Sequence, residues 1–281
     1  MKATADCIPC IESYVLRTAK RVSEDDWLQR KVLLDSMDVL RSATYDRSPT
    51  EICHDVLKSA LRMLGVTDPY RDLKKELNEL AMPVAAKAES IIRDARDPLQ
   101  ASLLFACAAN VLDVGVFASA APSEIVDLAK NRSFEVDNYE QLKEDLEGAK
   151  SVLYVLDNAG EIAFDKLVVQ QIVDKDVTCV VRHSPVLNDA TREDADQVSL
   201  SKLCDIVDPG ADLIGLPLDL CSAQFKELFN NSDVIITKGQ ANFETLEGAS
   251  PKTVYFVLVA KCPVVAAVLG VKVGDFVLLK D

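Results

Sequence analysis

Apolar residues recur at spacings of three and four through the first half of the chain, then gather into short β-branched runs in the second. The first pattern predicts helices over Ile11–Val22, Trp27–Leu40, Pro49–Leu64, Leu73–Arg93 and Pro98–Leu112. Ser48-Pro49, Asp68-Pro69 and Asp97-Pro98 each place a proline just inside a helix start, where its missing N–H is no loss. The second pattern predicts strands over Ser151–Asp157, Val177–His183, Asp205–Val207, Asp233–Lys238, Thr253–Val259 and Asp275–Leu279. Helical segments or loops separate most of them, and that alternation predicts a mainly parallel sheet covered on both faces. The expected fold class is therefore α/β: an all-helical domain over residues 1–132, then a three-layer α/β/α domain over residues 133–281.

The stretch Ser151–Asp165 is the most informative. A buried-strand run ends in Asp157-Asn158-Ala159-Gly160-Glu161, and Ile162, Phe164, Leu167 and Val168 then take helical spacing. Open α/β sheets bind ligands past the carboxyl ends of their strands. A carboxylate oxygen from Asp157 and an amide oxygen from Asn158 suit a hard cation such as Mg²⁺ or Mn²⁺. Asn158 with Glu161 three residues on is also a capping box, enough to start a helix with no chemistry at all.

Composition narrows the classes. The 281 residues carry 31 Lys and Arg against 45 Asp and Glu, a formal charge of −14, with no basic cluster. Nucleic-acid binding needs a basic surface to neutralise phosphates and is not expected. No apolar run is long enough to span a membrane, and MKATADCIPC lacks the pattern of a signal peptide. The expectation is a soluble, cytoplasmic protein. Eight scattered cysteines are unlike a secreted disulfide framework, and only Cys7-Ile8-Pro9-Cys10 has redox-like or ligand-like spacing.

Further polar residues fall at the same sheet edge. Asp189 follows the second strand of that list in His183-Ser184-Pro185-Val186-Leu187-Asn188-Asp189, as Asp157 follows the first. Lys238-Gly239-Gln240-Ala241-Asn242 follows the fourth, and Lys261-Cys262-Pro263 follows the fifth. Carboxylates for a metal with lysines for phosphate oxygens equip a site for metal-assisted phosphoryl chemistry. In the helical half, Asn110 and Asp113 share one helical face of an apolar run. Each has a plainer reading too: caps for Asn188 and Asp189, ordinary strand-end lysines, and backbone partners for Asn110 and Asp113. His183 has no second histidine near it and reads as capping its loop.

In this order, C-I-P-C, D-N-A-G-E, P-V-L-N-D-A-T, K-G-x-x-N and K-C-P resemble the DUF89 family of damage-control phosphatases, in its stand-alone prokaryotic branch, over essentially the whole chain. The resemblance implies a metal-dependent phosphatase with a helical N-terminal domain and a Rossmann-like α/β domain. It implies one divalent cation (Mg²⁺, Mn²⁺, Co²⁺ or Ni²⁺) held by Asp157, Asn158 and Asp189, with Asp157, Asp189 and Lys238 as the catalytic set. Lys238 is the implied phosphate contact, and Asn110, Asp113, Asn242 and Lys261 are placed on the substrate side. The substrate would be a small phosphorylated metabolite: a sugar phosphate, a phosphopantetheine derivative or a damaged metabolite. Ala109-Asn110 stands where the family usually has Gly-Asn.

Two other readings stay open. C-x-x-C could be a redox centre, or a metal clip with Cys53 or His54, although it precedes only helices and no second C-x-x-C completes it. It is expected to lie on the helical domain, outside the metal ligands. A binding protein that uses the sheet edge without catalysis is the other. The oligomeric state is not legible.

Overall fold

A computed structural model describes residues 1–111 and 122–281 of the chain. Five helices come first: α1 (Cys7–Val22), α2 (Asp26–Ser42), α3 (Pro49–Leu64), α4 (Arg71–Arg93) and α5 (Pro98–Ala109). The predicted continuation of α5 to Leu112, and Asp113 with it, lies outside the described residues. The chain resumes with α6 (Ile125–Asn131), β1 (Phe134–Asp137), α7 (Tyr139–Gly148), β2 (Ser151–Val155), α8 (Ile162–Gln171) and β3 (Asp176–Val180). It ends with α9 (Arg192–Gln197), β4 (Asp205–Val207), α10 (Ala223–Asn231), β5 (Val234–Lys238), α11 (Gln240–Leu246), β6 (Tyr255–Val259), α12 (Pro263–Leu269) and β7 (Phe276–Lys280).

Local chemistry sets the helix ends. Ser48 and Glu51 form a reciprocal capping box at α3, and Gly65 closes that helix in the left-handed region at φ 67°. Asp97 caps α5, with Pro98 at its first position. Pro69 is different: α4 starts at Arg71, so this proline precedes the helix rather than opening it.

The helical half packs as two units. Helices α1–α3 share a core of Ile11, Val15, Val32, Ile52, Val56 and Leu57, closed by Val186 and Ile214 from sheet-edge loops. Helices α4 and α5 turn Ala81, Ala85, Ile92, Leu103 and Phe105 into the core beneath the sheet instead. They join α6, α7 and α8 as one covering layer.

The sheet has seven strands in the order β1-β7-β6-β5-β2-β3-β4. All neighbours are parallel except β6 and β7. Both faces are covered: Tyr154, Ile236 and Val257 face α5 and α8, while Leu153, Ile235 and Phe256 face Phe225, Phe243 and Val265 of α10–α12. This is the expected three-layer α/β/α arrangement. Strand order reverses between β2 and β5, which opens a crevice at their carboxyl ends. Among the described residues no helix is long and apolar enough to cross a membrane.

Candidate active site

Three loops meet at that crevice. Beyond β2 the chain stays extended: Ala190 N donates to Asp157 O (2.7 Å) and Ala159 N to Asn188 O (2.8 Å). An antiparallel bridge joins Asn158 to Asp189. The two loops are zipped edge to edge, which brings Asp157, Asn158 and Asp189 together as the sequence leads one to expect. Gly239 completes the approach. Its φ is +80°, and a Cβ there would stand 1.8 Å from Asp157 Oδ2, so any larger residue would displace the carboxylate.

No capping box forms at Asn158. Helix α8 starts at Ile162, and the Asn158 amide donates to Asp157 Oδ2 (2.8 Å) and Glu161 Oε2 (3.0 Å). Asn110 makes the same pair of bonds, to Asp157 Oδ2 (3.0 Å) and Glu161 Oε2 (2.9 Å), and accepts from Val259 N. It therefore orients Asp157 from behind and is not among the cavity-lining residues. Burial, then the charges of Glu161 and Asp189, push the Asp157 carboxyl well above the usual carboxylate range, against the pull of Lys261 and Arg182.

Arg182 was not anticipated as a site residue. Buried at 3% exposure, it donates through Nε to Asp189 Oδ2 (2.5 Å) and through Nη1 to Gly215 O (2.8 Å) and Asn242 Oδ1 (3.2 Å). Its Nη2 stands 3.7 Å from Asp157 Oδ1 and has no hydrogen bond among the described residues. Asn242 itself donates to Leu156 O and Lys238 O, so it braces loops behind the cavity wall. Sequence alone gave one clue: an arginine closing a run of buried valines must have a partner.

Lys238 is the main departure. Its side chain is fully buried, with Nζ donating to Glu161 Oε1 (2.7 Å), Asp165 Oδ1 (2.8 Å) and Ala106 O (2.9 Å). All three ammonium protons are taken, so none is left for a phosphate. Burial opposes its charge, yet Asp165 and Glu161 hold its pKa above the ordinary lysine range. Asp165 also accepts from Tyr154 (2.8 Å), and burial pushes its carboxyl up to about 6.

In front of these groups lies a cavity of about 340 Å³, bounded by α1, α3 and the strand-end loops. Asp157, Asn158, Asp189 and Lys261 line it, so Lys261 is the strand-end lysine that reaches the cavity. Cys7, Cys10, Cys53 and Cys262 line it as well, so C-x-x-C shares the cavity rather than lying apart from it. All eight cysteines are free. Burial, then the nearby Cys262 and Glu244, push the Cys10 thiol up to about 11, and burial drives Cys53 higher still. Protonated thiols of this kind are poor nucleophiles and poor ligands. His54 is not among the cavity-lining residues, and His183 pairs with Asp208 (2.7 Å) away from the cavity.

The donor set fits a hard cation. Two buried carboxylates and an amide border the cavity, and burial with the charges of Glu161 and Asp189 disfavours a bare negative charge on Asp157. Among the described residues no three His, Cys, Asp or Glu side chains converge as ligands, so a cation here would rely on Asn158 and on oxygens from substrate and water.

A model of the damage-control phosphatase ARMT1-like domain matches residues 3–277. The chain is 34% identical to an uncharacterized protein of Methanocaldococcus jannaschii over all of this chain and 96% of that one. It is 30% identical to a damage-control phosphatase of Pyrococcus horikoshii (100% of this chain, 99% of the other), and 32% identical to one of Archaeoglobus fulgidus (99% and 98%). The crystal structure of a DUF89 family protein from Pyrococcus horikoshii superposes with a TM-score of 0.90 at 30% identity, covering 100% of this chain and 99% of that one. On fold, coverage and identity together, this chain belongs to the DUF89 family of damage-control phosphatases.

Proposed function

We propose that the chain is a divalent-cation-dependent phosphomonoester hydrolase acting on small phosphorylated metabolites. The observation that carries this reading is the convergence of Asp157, Asn158 and Asp189 on one cavity that Lys261 also lines. Asp157, Asn158 and Asp189 would hold the cation (Mg²⁺, Mn²⁺, Co²⁺ or Ni²⁺), which supplies Lewis-acid charge to a phosphate oxygen and a site for water. Asn110 and Arg182 fix the two carboxylates. Lys261, close enough to Asp157 to pull its pKa down, neutralises charge on the phosphoryl oxygens. The cavity, about 340 Å³, suits a substrate of sugar-phosphate size. Eight free thiols suit a reducing compartment and support a cytoplasmic location.

Phosphate release from a panel of sugar phosphates and phosphopantetheine is expected with Mn²⁺ or Mg²⁺ and is expected to vanish with EDTA. Equal release in EDTA would sink the cation requirement, and no release from any ester would favour a binding protein. The redox alternative rests on Cys7 and Cys10 facing the cavity. The raised pKa of Cys10 counts against it, and retained turnover in Cys7→Ser with Cys10→Ser would dispose of it.

A further inference from the structure

Helix α4 reaches the site through one buried amide. We infer that Asn78 is a positioning residue that locks the two cation-binding loops to the helical half, an inference that rests on the proposed cation site. Asn78 is 0% exposed; its Oδ1 accepts from Gly160 N at 2.6 Å, two residues beyond Asn158. Its Nδ2 donates to Asp194 Oδ1 (3.0 Å) and Gln197 Oε1 (2.9 Å). Asp194 is itself fixed, because its Oδ2 accepts from Thr191 N (2.8 Å) and the Thr191 hydroxyl (2.7 Å), two residues beyond Asp189. Lys74, one turn earlier on α4, adds ion pairs to Asp194 (3.6 Å) and Asp68 (3.1 Å).

One amide thus ties the Asp157–Glu161 loop to the Asp189–Asp194 loop and both to α4. Its orientation is forced. A flipped amide would set N–H against the Gly160 N–H and an oxygen against the Asp194 carboxylate. Gly160 sits at φ +79°, a conformation that an unanchored loop would not hold uniquely. Asn78 hydrogen-bonds to Gly160, Asp194 and Gln197 and not to Asp157 or Asp189, so its effect on the site is geometric. Partners behind metal ligands typically matter by 10–100-fold in affinity.

The test measures Mn²⁺ binding by calorimetry and hydrogen exchange of the 157–161 segment, alongside phosphate release. In Asn78→Ala the Mn²⁺ dissociation constant is expected to rise by about 10–100-fold. Exchange at Gly160 should quicken, and turnover should recover to within a few-fold once Mn²⁺ saturates. Wild-type Mn²⁺ affinity in a folded Asn78→Ala protein would overturn the inference, since lost stability alone does not shift that constant. If Asn78→Ala does not fold, Gln197→Ala removes one of the two acceptors and should weaken Mn²⁺ binding by about 2–5-fold, below the full range because the Asp194 bond remains; unchanged binding there would overturn it too. A wild type that binds no Mn²⁺ would instead remove the cation site on which the inference stands.

Discussion

Two groups of buried carboxylates share the end of β2, and they are balanced in opposite ways. In the closed group, Glu161 and Asp165 face Lys238, whose three protons are all taken inside the protein. In the open group, Asp157 and Asp189 face a cavity, backed by Arg182 at 2.5 Å from one and 3.7 Å from the other. Glu161 belongs to both, with Oε1 on Lys238 and Oε2 on Asn110 and Asn158. A group sealed inside with its cation is part of the fold, whereas one that keeps an open face on a cavity is accessible to a cation from solution. Proximity to the sheet edge therefore does not assign a role to a charged residue. What decides it is which donors are already committed.

The largest expected effect breaks the closed group. Lys238→Met strands two carboxylates in a dry core and should cost about 3–5 kcal/mol of stability. Urea unfolding checks this, with or without Mn²⁺. Asp165→Leu in the same chain should restore part of the loss by removing one orphaned charge. A normal midpoint with collapsed turnover would return Lys238 to the role of phosphate contact.

The open group should answer the other way. Asp157→Asn is expected to lower turnover by about 10²–10³-fold, or about 2.7–4.1 kcal/mol of transition-state stabilisation. The melting temperature of the metal-free protein should stay level or rise, because the change removes a repelling charge beside Asp189 and Glu161. Excess Mn²⁺ at about 100 times its dissociation constant should add about 2.7 kcal/mol to the wild type and nothing to the variant. A destabilised variant would mean that Asp157 is compensated after all, and the contrast would fail.

Much of this was legible in the sequence. Helical spacing found α1–α5 closely, and the proline starts at Pro49 and Pro98 hold. The meeting of Asp157, Asn158 and Asp189 at one cavity was legible because strand-end position is local. Strand β1 was missed: Phe134–Asp137 is four residues with two acids, and only pairing with β7 makes it a strand. The role of Lys238 was not legible because it depends on Glu161 and Asp165, distant in sequence. A signal did exist, since Asp165 interrupts the apolar start of α8, and a buried carboxylate demands a cation. Lys74 and Asn78 likewise continue the stripe of Ala81, Ala85 and Ala88 on the buried face of α4. Polar residues on a buried stripe are the mark that periodicity alone passes over.

A smaller effect sharpens the boundary of the open group. Cys10 lines the cavity, but a thiol pushed up to about 11 stays protonated at neutral pH and ligates no hard cation. Cys10→Ser should leave Mn²⁺ affinity unchanged and shift kcat/KM by less than about tenfold, the change of one cavity contact. Calorimetry and initial rates check both. Lost Mn²⁺ binding would extend the ligand set to the thiols.

The smallest effect uses a carboxylate outside both groups as a reference for how donors alone set a charge. Asp233, exposed before β5, accepts from Lys150 N (2.9 Å), Ser151 N (3.0 Å) and the Ser151 hydroxyl (3.1 Å), which ties β5 to the start of β2. Those backbone bonds lower its pKa, the reverse of the shift at Asp157. A depressed folded pKa contributes stability that is fully present above the unfolded value, roughly 3.9, and is lost as pH falls through the folded value. Asp233→Asn should therefore be less stable than wild type at pH 7, and the difference should shrink steadily below pH 4. Paired urea titrations at the two pH values measure it. A gap that persists in acid would mean that the bonds matter by geometry and not by charge, and Asp233 could no longer serve as the charged reference against which Asp157 is read.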